Sequence, residues 1–407
     1  MSFFSSVRVR WPVSFLTFLV AAMLFKAFGA LGRVRWTVVL IAIIAGATLF
    51  IGGAVVGGSP IGIVRARSEV PLLRRSTRQM FPLVPPIDDK KKGVALGRPV
   101  VKGRAVVNVE RRFDKSCATC SIFYSESQFP KGGSSCEIVA VHPFGLSGGG
   151  ISVLAPYALA GGCGFTAVDL RGHGNSSWQN EPGELFGSAD DVGRVLTQAR
   201  ARVGPEGRVG LLGASLGAYI SLIAAGSRTM VPPDAIFLLN PILAPSASLQ
   251  SSHQIVHFLA SVVPFLSIRL KGDYPAVRGM VRDEFYQALH ARDGRNIEYF
   301  PVRMIDAVTG ITAGDFRMAL SGVSEIRTTA LIAGEDIFTD NKESVKTWET
   351  AQRHPRSTLT MVPTSQHATV FDSKANVEEG MSLYVAWIAK LRRKKETKWT
   401  EIQTNNR

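Results

Sequence analysis

The sequence is poor in cysteine, with four in 407 residues. So few cysteines do not form a disulfide framework, and their number fits a reducing compartment. Cys117 and Cys120 form a C-x-x-C pair that resembles half of a zinc or redox site. Cys136 and Cys163 are expected to begin two parallel strands at the opposite end of the sheet, too far away to complete a zinc site with that pair. The sequence therefore predicts neither a metal nor a cofactor.

Charged residues are absent over 29 positions, from 36 to 64. About 20 apolar residues cross a bilayer core, so this segment predicts a membrane-spanning helix. A second apolar segment, 11–31, is interrupted only by Lys26 and leads to a short connection that carries two arginines. We favour two spans that form a hairpin. A removed signal peptide is the alternative for the first segment, although Lys26 and the missing cleavage site disfavour it.

Acidic residues are also scarce, 32 against 47 lysines and arginines, which gives a formal net charge of +15. The first 112 residues contain 18 basic and 4 acidic side chains, and residues 392–407 contain 6 and 2, so the region between them is slightly acidic. This distribution argues against a nucleic-acid-binding protein and favours one held at a membrane, where a cation near an anionic leaflet contributes about 1 kcal/mol. Arginines just past the apolar segment favour the cytosolic side for the domain that follows, in an unidentified organelle.

Apolar runs indicate strands over most of the remaining chain. A hairpin is predicted at about 100–112 and 120–127, followed by strands near 137–141, 165–169, 208–213, 235–239, 328–333 and 357–362. Helical patterns separate most of these strands, and the last helix is predicted at about 376–393. Alternation of strands and helices predicts an α/β fold with a mostly parallel sheet, helices on both faces and reactive groups at the carboxyl ends of the strands.

Four regions follow from these patterns. Residues 1–64 are expected to be a membrane anchor, 65–98 a basic, proline-containing linker, 99–393 the folded domain, and 394–407 a basic polar tail. The strand pattern stops for about 85 residues before the strand at 328–333, which predicts a helical insertion at about 245–325.

The segment Gly213-Ala214-Ser215-Leu216-Gly217 stands between an apolar strand and an apolar helix. This G-x-S-x-G pattern is typical of a sharp turn that exposes a nucleophilic serine. The serine adopts a strained backbone conformation there, and residues two positions away on either side must be nearly free of side chains. Gly213 and Gly217 meet that requirement. The pattern therefore predicts Ser215 as a nucleophile.

A serine hydroxyl needs a histidine to take its proton and a carboxylate to orient that histidine. The strand at 328–333 ends at Asp336, and the strand at 357–362 is followed by a loop that carries His367. Asp336 is favoured as the acid because it stands near the end of its strand; Glu335 and Asp340 in the same loop are the alternatives.

With Ser215, an acid and His367 in this order, the chain resembles the α/β-hydrolase family, and within it the capped monoacylglycerol-lipase and serine-aminopeptidase-like group. The resemblance covers about 100–393. It implies an α/β-hydrolase fold with an eight-stranded sheet, and a triad of Ser215, Asp336 and His367. A serine at the turn, instead of an aspartate, argues against an epoxide hydrolase or a dehalogenase.

The resemblance also assigns an oxyanion hole. Its donors would be the backbone N–H groups of Phe144, in the loop His142-Pro143-Phe144-Gly145, and of Leu216. The segment from Asp169 to Ser176 is similar to the D-x-R-G-x-G-x-S turn of the family, and we expect it to shape a turn without taking part in chemistry.

The insertion at 245–325 resembles the lid of the family. Its apolar stretch, 255–266, favours a substrate with an acyl or other hydrophobic part, or else only seals the lid onto the domain. His253 and His257 are spaced i, i+4 and could share a metal, but the glutamate of an H-E-x-x-H motif is missing, so packing is the favoured interpretation.

The predicted activity is that of a membrane-anchored serine hydrolase that cleaves a carboxylic ester, of a lipid or another small acyl substrate, through an acyl-enzyme. An acyltransferase and a serine peptidase use the same chemistry and stay open as alternatives. A membrane-tethered scaffold that keeps the fold without turnover is the alternative of a different class.

Overall fold

A computed structural model describes residues 108–115, 122–130, 133–176, 185–264, 266–269, 297 and 299–392. Eight of its strands form one sheet in the order β1-β2-β4-β3-β5-β6-β9-β10. Their bounds are Asn108–Lys115 (β1), Ile122–Phe129 (β2), Cys136–Val141 (β3), Gly164–Asp169 (β4), Arg208–Ala214 (β5), Ala235–Leu239 (β6), Thr328–Ala333 (β9) and Thr358–Val362 (β10). The first two strands are an antiparallel hairpin joined antiparallel to β4, and all other pairs are parallel. The predicted α/β-hydrolase sheet is confirmed.

Helices cover both faces of this sheet. They are Gly148–Ile151 (α1), Ala155–Ala160 (α2), Leu185–Val203 (α3), Leu216–Gly226 (α4), Ala247–Val262 (α5), Val302–Thr309 (α6), Ala313–Gly322 (α7), Asn341–Ala351 (α8) and Lys374–Arg392 (α9). Side chains of α3, α4, α7 and α8 form one apolar core, and those of α1, α2 and α9 form the other. Successive strand residues alternate between the two cores, as Ile138 and Val139 do, because side chains along a strand point to opposite faces.

The elements between β6 and β9 form the insertion. Helix α5 is followed by a two-stranded antiparallel ribbon, Ser267–Arg269 (β7) with Tyr299–Pro301 (β8), and then by α6. Val256 and Ala260 of α5 pack against Val302 of α6 in a small core. Helix α7, which lies within the predicted lid, instead packs into the main core, where Phe316 contacts the ring of Tyr219. We call α5, β7, β8 and α6 the cap.

The apolar stretch of the lid divides between two environments. Val256 and Ala260 are buried, but they pack against Val302 within the cap and not against the main domain, so they hold the cap elements to one another. Ile255, Phe258 and Val262 are exposed by 49%, 54% and 41%.

The interpretation of the cysteines is wrong for one pair. Cys136 and Cys163 form a disulfide, with their Cα atoms 4.7 Å apart. Cys136 begins β3 and Cys163 immediately precedes β4; these strands are immediate neighbours with Glu137 opposite Gly164, which places the two sulfur atoms side by side. The order of strands in the sheet, which brings them together, is not visible in the spacing of the cysteines. Cys117 and Cys120 lie outside the described residues.

The predicted membrane spans, linker and basic tail also lie outside the described residues. Within the described ranges, no helix combines the length and the apolar character needed to cross a bilayer.

Candidate active site

Ser215 stands at the turn between β5 and α4, with φ 51° and ψ −117°. Few residues other than glycine adopt such a conformation, and it holds the serine at the tip of a sharp bend. The flanking glycines make the bend possible. A Cβ atom on Gly217 would collide with the carbonyl oxygens of Val141 and His142, and one on Gly213 would lie 2.7 Å from the Cα of Ala218.

The structure brings the three residues of the predicted triad together. His367 Nε2 lies 2.8 Å from Ser215 Oγ, and His367 Nδ1 lies 2.6 Å from Asp336 Oδ2. All three residues are less than 10% exposed. With a proton on Nδ1 that is donated to the carboxylate, Nε2 is left as an acceptor for the serine hydroxyl. This arrangement can activate a serine as a nucleophile.

Asp336 is hydrogen-bonded to the imidazole. Its carboxylate also accepts hydrogen bonds from the backbone N–H of Phe338 at 2.9 Å and the hydroxyl of Thr339 at 3.0 Å. Burial opposes the negative charge, but the neighbouring His367 and these donors together hold the pKa of Asp336 below its ordinary value. The carboxylate therefore stays ionised at neutral pH and can stabilise an imidazolium.

The two other acidic residues of this loop have different surroundings. Asp340 is the N-cap of α8, where its side chain accepts from the backbone N–H of Glu343 at 3.0 Å. Glu335 is exposed, and its backbone N–H donates to the carbonyl of Ser365. Position relative to the end of the strand therefore identifies the carboxylate that is hydrogen-bonded to His367.

The predicted oxyanion donors occupy suitable backbone positions. Leu216 is the first residue of α4, so its N–H has no acceptor within the helix and lies at the positive end of the helix dipole. Phe144 lies in the loop that follows β3. An oxyanion formed next to Ser215 would require both amides to converge on it, and this assignment stays a prediction.

Two buried histidines fasten the loop that carries Phe144. His142 Nε2 accepts from the N–H of Leu170 at 3.1 Å, and His173 Nε2 accepts from the N–H of Gly145 at 3.3 Å. Each Nδ1–H is bonded to a carbonyl oxygen in turn, at 2.7 Å for His142 and 2.9 Å for His173. Both rings are therefore neutral, with the proton on Nδ1.

Burial lowers the pKa of both rings. Desolvation is the main cause, and for His142 the neighbouring His173 adds to it; the pKa of His173 falls to about 4. The ring centroids are 5.0 Å apart. His173 thus does more than shape its own turn, since it also holds Gly145 of the loop His142-Pro143-Phe144-Gly145, which we call the oxyanion loop.

Strand β8 of the cap and Ile297, just before it, contact the oxyanion loop, and no sequence motif predicts this contact. The ring of Phe300 in β8 lies 4.9 Å from that of Phe144, centroid to centroid, and the N–H of Ile297 donates to the carbonyl of Gly145 at 2.9 Å. Gly145 has φ +78°, and a Cβ atom there would lie 2.7 Å from the Phe300 ring. The absence of a side chain at Gly145 therefore lets the cap approach the loop closely.

Asn240 is a second residue that no motif marks. It follows β6 with φ 47°, and its side-chain amide donates to the hydroxyl of Thr369 at 2.9 Å. The Thr369 hydroxyl is also bonded to Ser365, so the network lies on both sides of His367 in the chain. Asn240 therefore helps to position the histidine loop.

This fold and this site define a serine hydrolase of the α/β-hydrolase class. A family model described as serine aminopeptidase, S33, matches residues 134–374, which is more than half of the chain. The chain belongs to this family. The comparison with curated proteins finds no match to the sequence.

Solved structures with the same fold include lipases. The monoacylglycerol lipase of Paleococcus ferrophilus is 19% identical, with a TM-score of 0.54, and the match covers 66% of this chain and 98% of that one. A soluble variant of the monoglyceride lipase of Saccharomyces cerevisiae, in complex with a substrate analogue, is 16% identical, with a TM-score of 0.60 and coverage of 71% and 98%. A structure described as the open form of a lipase is 17% identical, with a TM-score of 0.55 and coverage of 70% and 100%.

Proposed function

We propose that the protein hydrolyses carboxylic esters of lipids or other acyl compounds, with Ser215, His367 and Asp336 as its catalytic triad. The observation that carries this proposal is the continuous line of hydrogen bonds from Asp336 through His367 to Ser215. A buried serine, an imidazole with a free Nε2 lone pair and an ionised carboxylate in this order are the groups that acyl transfer needs.

The mechanism has two halves. His367 Nε2 takes the proton of Ser215 as Oγ attacks the ester carbonyl, and the amides of Phe144 and Leu216 stabilise the oxyanion. The imidazolium then donates its proton to the leaving alcohol, and the acyl group stays on Oγ. A water molecule, deprotonated by His367, attacks the acyl-enzyme and releases the acid, which regenerates the serine.

An ester substrate is favoured over the alternatives by two features. The three solved structures described above are named as lipases. The cap also contacts the oxyanion loop, as it would if it enclosed an acyl group. The family name favours a peptidase as the second candidate. A peptidase and an acyltransferase would use the same triad and differ in the leaving group or in the acceptor.

Attachment to a membrane is part of the proposal. The uncharged segment 36–64 is long enough to span a bilayer and would hold the domain where lipid esters partition. The arginines after that segment favour the cytosolic side, whereas the Cys136–Cys163 disulfide favours an oxidising compartment. Alkylation of the cysteine thiols in intact cells, before and after reduction, distinguishes the cytosolic side from an oxidising compartment.

The proposed activity is tested with the variant Ser215→Ala and the control Ser227→Ala, a serine at the other end of α4. We expect Ser215→Ala to lose labelling by a fluorophosphonate probe and to lower kcat on p-nitrophenyl esters by about 10⁴-fold or more. Ser227→Ala should keep both. Full activity of Ser215→Ala would refute the assignment, and lack of labelling of the native protein would favour the scaffold.

The same preparation separates the remaining alternatives. Esters of graded acyl length compared with aminoacyl amides distinguish an esterase from a peptidase. Product analysis with and without an acceptor alcohol distinguishes a hydrolase from an acyltransferase. We expect turnover of esters, with the free acid as the main product.

A further inference from the structure

Two helices of the cap bring metal-ligating side chains together. His253 and His257 lie one turn apart on α5, and Asp306 lies on α6. Asp306 Oδ1 is 3.4 Å from His253 Nδ1 and 3.2 Å from His257 Nδ1, and one ligand atom from each residue lies within 4.8 Å of the others. The pair of histidines lacked a third partner in the sequence, and the fold supplies it from 49 residues away.

Two of the three distances between ligand atoms suit a tetrahedral metal ion, and the third, between the two histidines, is within 4.8 Å. Zinc bound at about 2.0–2.1 Å by nitrogen and oxygen separates neighbouring ligand atoms by about 3.3–3.4 Å. Both distances between Asp306 Oδ1 and the two imidazole nitrogens are close to this value. Two imidazoles and one carboxylate leave the fourth position to water.

Hydrogen bonding alone satisfies this group less well. Both Nδ1 atoms approach Oδ1 of Asp306, and that of His257 also lies 3.3 Å from Oδ2, so two rings with centroids 5.6 Å apart share one carboxylate as their acceptor. His253 Nδ1 has an alternative partner in the hydroxyl of Thr309 at 3.2 Å, which it would give up to bind an ion. A divalent cation satisfies all three groups at once.

We propose that His253, His257 and Asp306 bind Zn²⁺ or a similar borderline divalent cation. The side chains are 31%, 65% and 23% exposed, so an ion from solution reaches them without opening the core. A bound ion would join α5 to α6. Because α6 follows β8 directly, the site is connected through Phe300 to the oxyanion loop.

Zinc titration of the chelator-treated full-length protein, followed by calorimetry, tests this site. The variants are His257→Ala, which removes a largely exposed ring, and Asp306→Asn; the control is His354→Ala, a partly exposed histidine of another region. We expect one saturable site, weakened about 10-fold or more in both ligand variants and unchanged in the control. Equal thermal midpoints in the presence of chelator show that the variants are folded.

Cobalt reports the geometry independently of activity. We expect wild type and His354→Ala to give the intense visible absorption of tetrahedral Co²⁺, and the ligand variants to lose it. The proposal is overturned if no saturable binding occurs, if His257→Ala and Asp306→Asn bind zinc as tightly as wild type, or if cobalt keeps the weak spectrum of its hydrated ion.

Discussion

Lowering the pH from 7.5 to 4.5 should destabilise the folded domain through His173. The folded pKa of this ring is about 4, below its ordinary value of 6.5, because the ring is buried. As the pH falls below 6.5, the ring binds a proton in the unfolded chain but stays neutral in the folded chain. The contribution of the neutral ring to the free energy of unfolding is therefore complete above pH 6.5 and is lost as the pH falls towards 4. At pH 4.5 the loss is about 2.5 kcal/mol, since one pKa unit corresponds to about 1.36 kcal/mol. His142, whose pKa is also lowered, adds a loss of the same sign.

Urea unfolding of the purified protein at both pH values, compared with His173→Asn, measures this contribution. The variant lacks the titrating ring, so wild type should lose about 2.5 kcal/mol more than the variant between pH 7.5 and 4.5. Asp191, whose pKa is raised mainly by burial, changes the free energy of unfolding in the opposite direction as the pH falls. Both proteins contain it, so its effect cancels when their losses are compared. Equal losses in the two proteins, within about 0.5 kcal/mol, would refute the assignment of His173 as a buried neutral ring.

Three further outcomes are expected. Asp336→Asn should lower kcat by about 10⁴-fold, because the imidazole loses its orienting charge, whereas Asp340→Asn, measured in the same assay, should keep its activity. Gly217→Ala should fail to fold or lose most of its stability, since the new Cβ meets two backbone carbonyls, and thermal unfolding would show a native-like midpoint if this is incorrect. Replacing Cys136 and Cys163 together by alanine should cost about 3–4 kcal/mol in urea unfolding, from the entropy of a loop closed over 27 residues; an unchanged midpoint would mean that the bond does not form.

The parts of the site that depend on local geometry are visible in the sequence. The turn at Ser215 needs glycine at positions 213 and 217 for steric reasons that involve its own helix and the end of the neighbouring strand β3, and the sequence signal for it lies within five residues. Asp336 and His367 follow neighbouring parallel strands, and parallel neighbours end at the same edge of a sheet, which is why their order along the chain predicts that they come together. The strand bounds were predicted within a few residues over most of the sheet for the same reason.

Features that depend on the order of strands or on packing between distant elements are not visible in this way. The Cys136–Cys163 bond follows from β3 and β4 being neighbours, which spacing alone does not reveal. The end of the cap also differs from the predicted one, because α7 lies in the predicted insertion but its Phe316 packs on Tyr219 of the main core. The carboxylate of Asp306 reaches the two histidines only through the packing of α6 on α5.

Different parts of the structure position the triad residues and the oxyanion loop, and this difference indicates where regulation can act. The serine and the acid follow directly from the ends of β5 and β9, so their positions depend on the sheet. The oxyanion loop is instead held by side chains and by the cap: His173 binds the N–H of Gly145, Ile297 binds its carbonyl, and Phe300 packs on Phe144. A shift of the cap, or protonation of His173, would displace the loop of Phe144, the predicted oxyanion donor, without changing the strands that position Ser215 and Asp336. Because an oxyanion donor contributes about 3–4 kcal/mol to transition-state stabilisation, such a displacement would control turnover without altering the nucleophile.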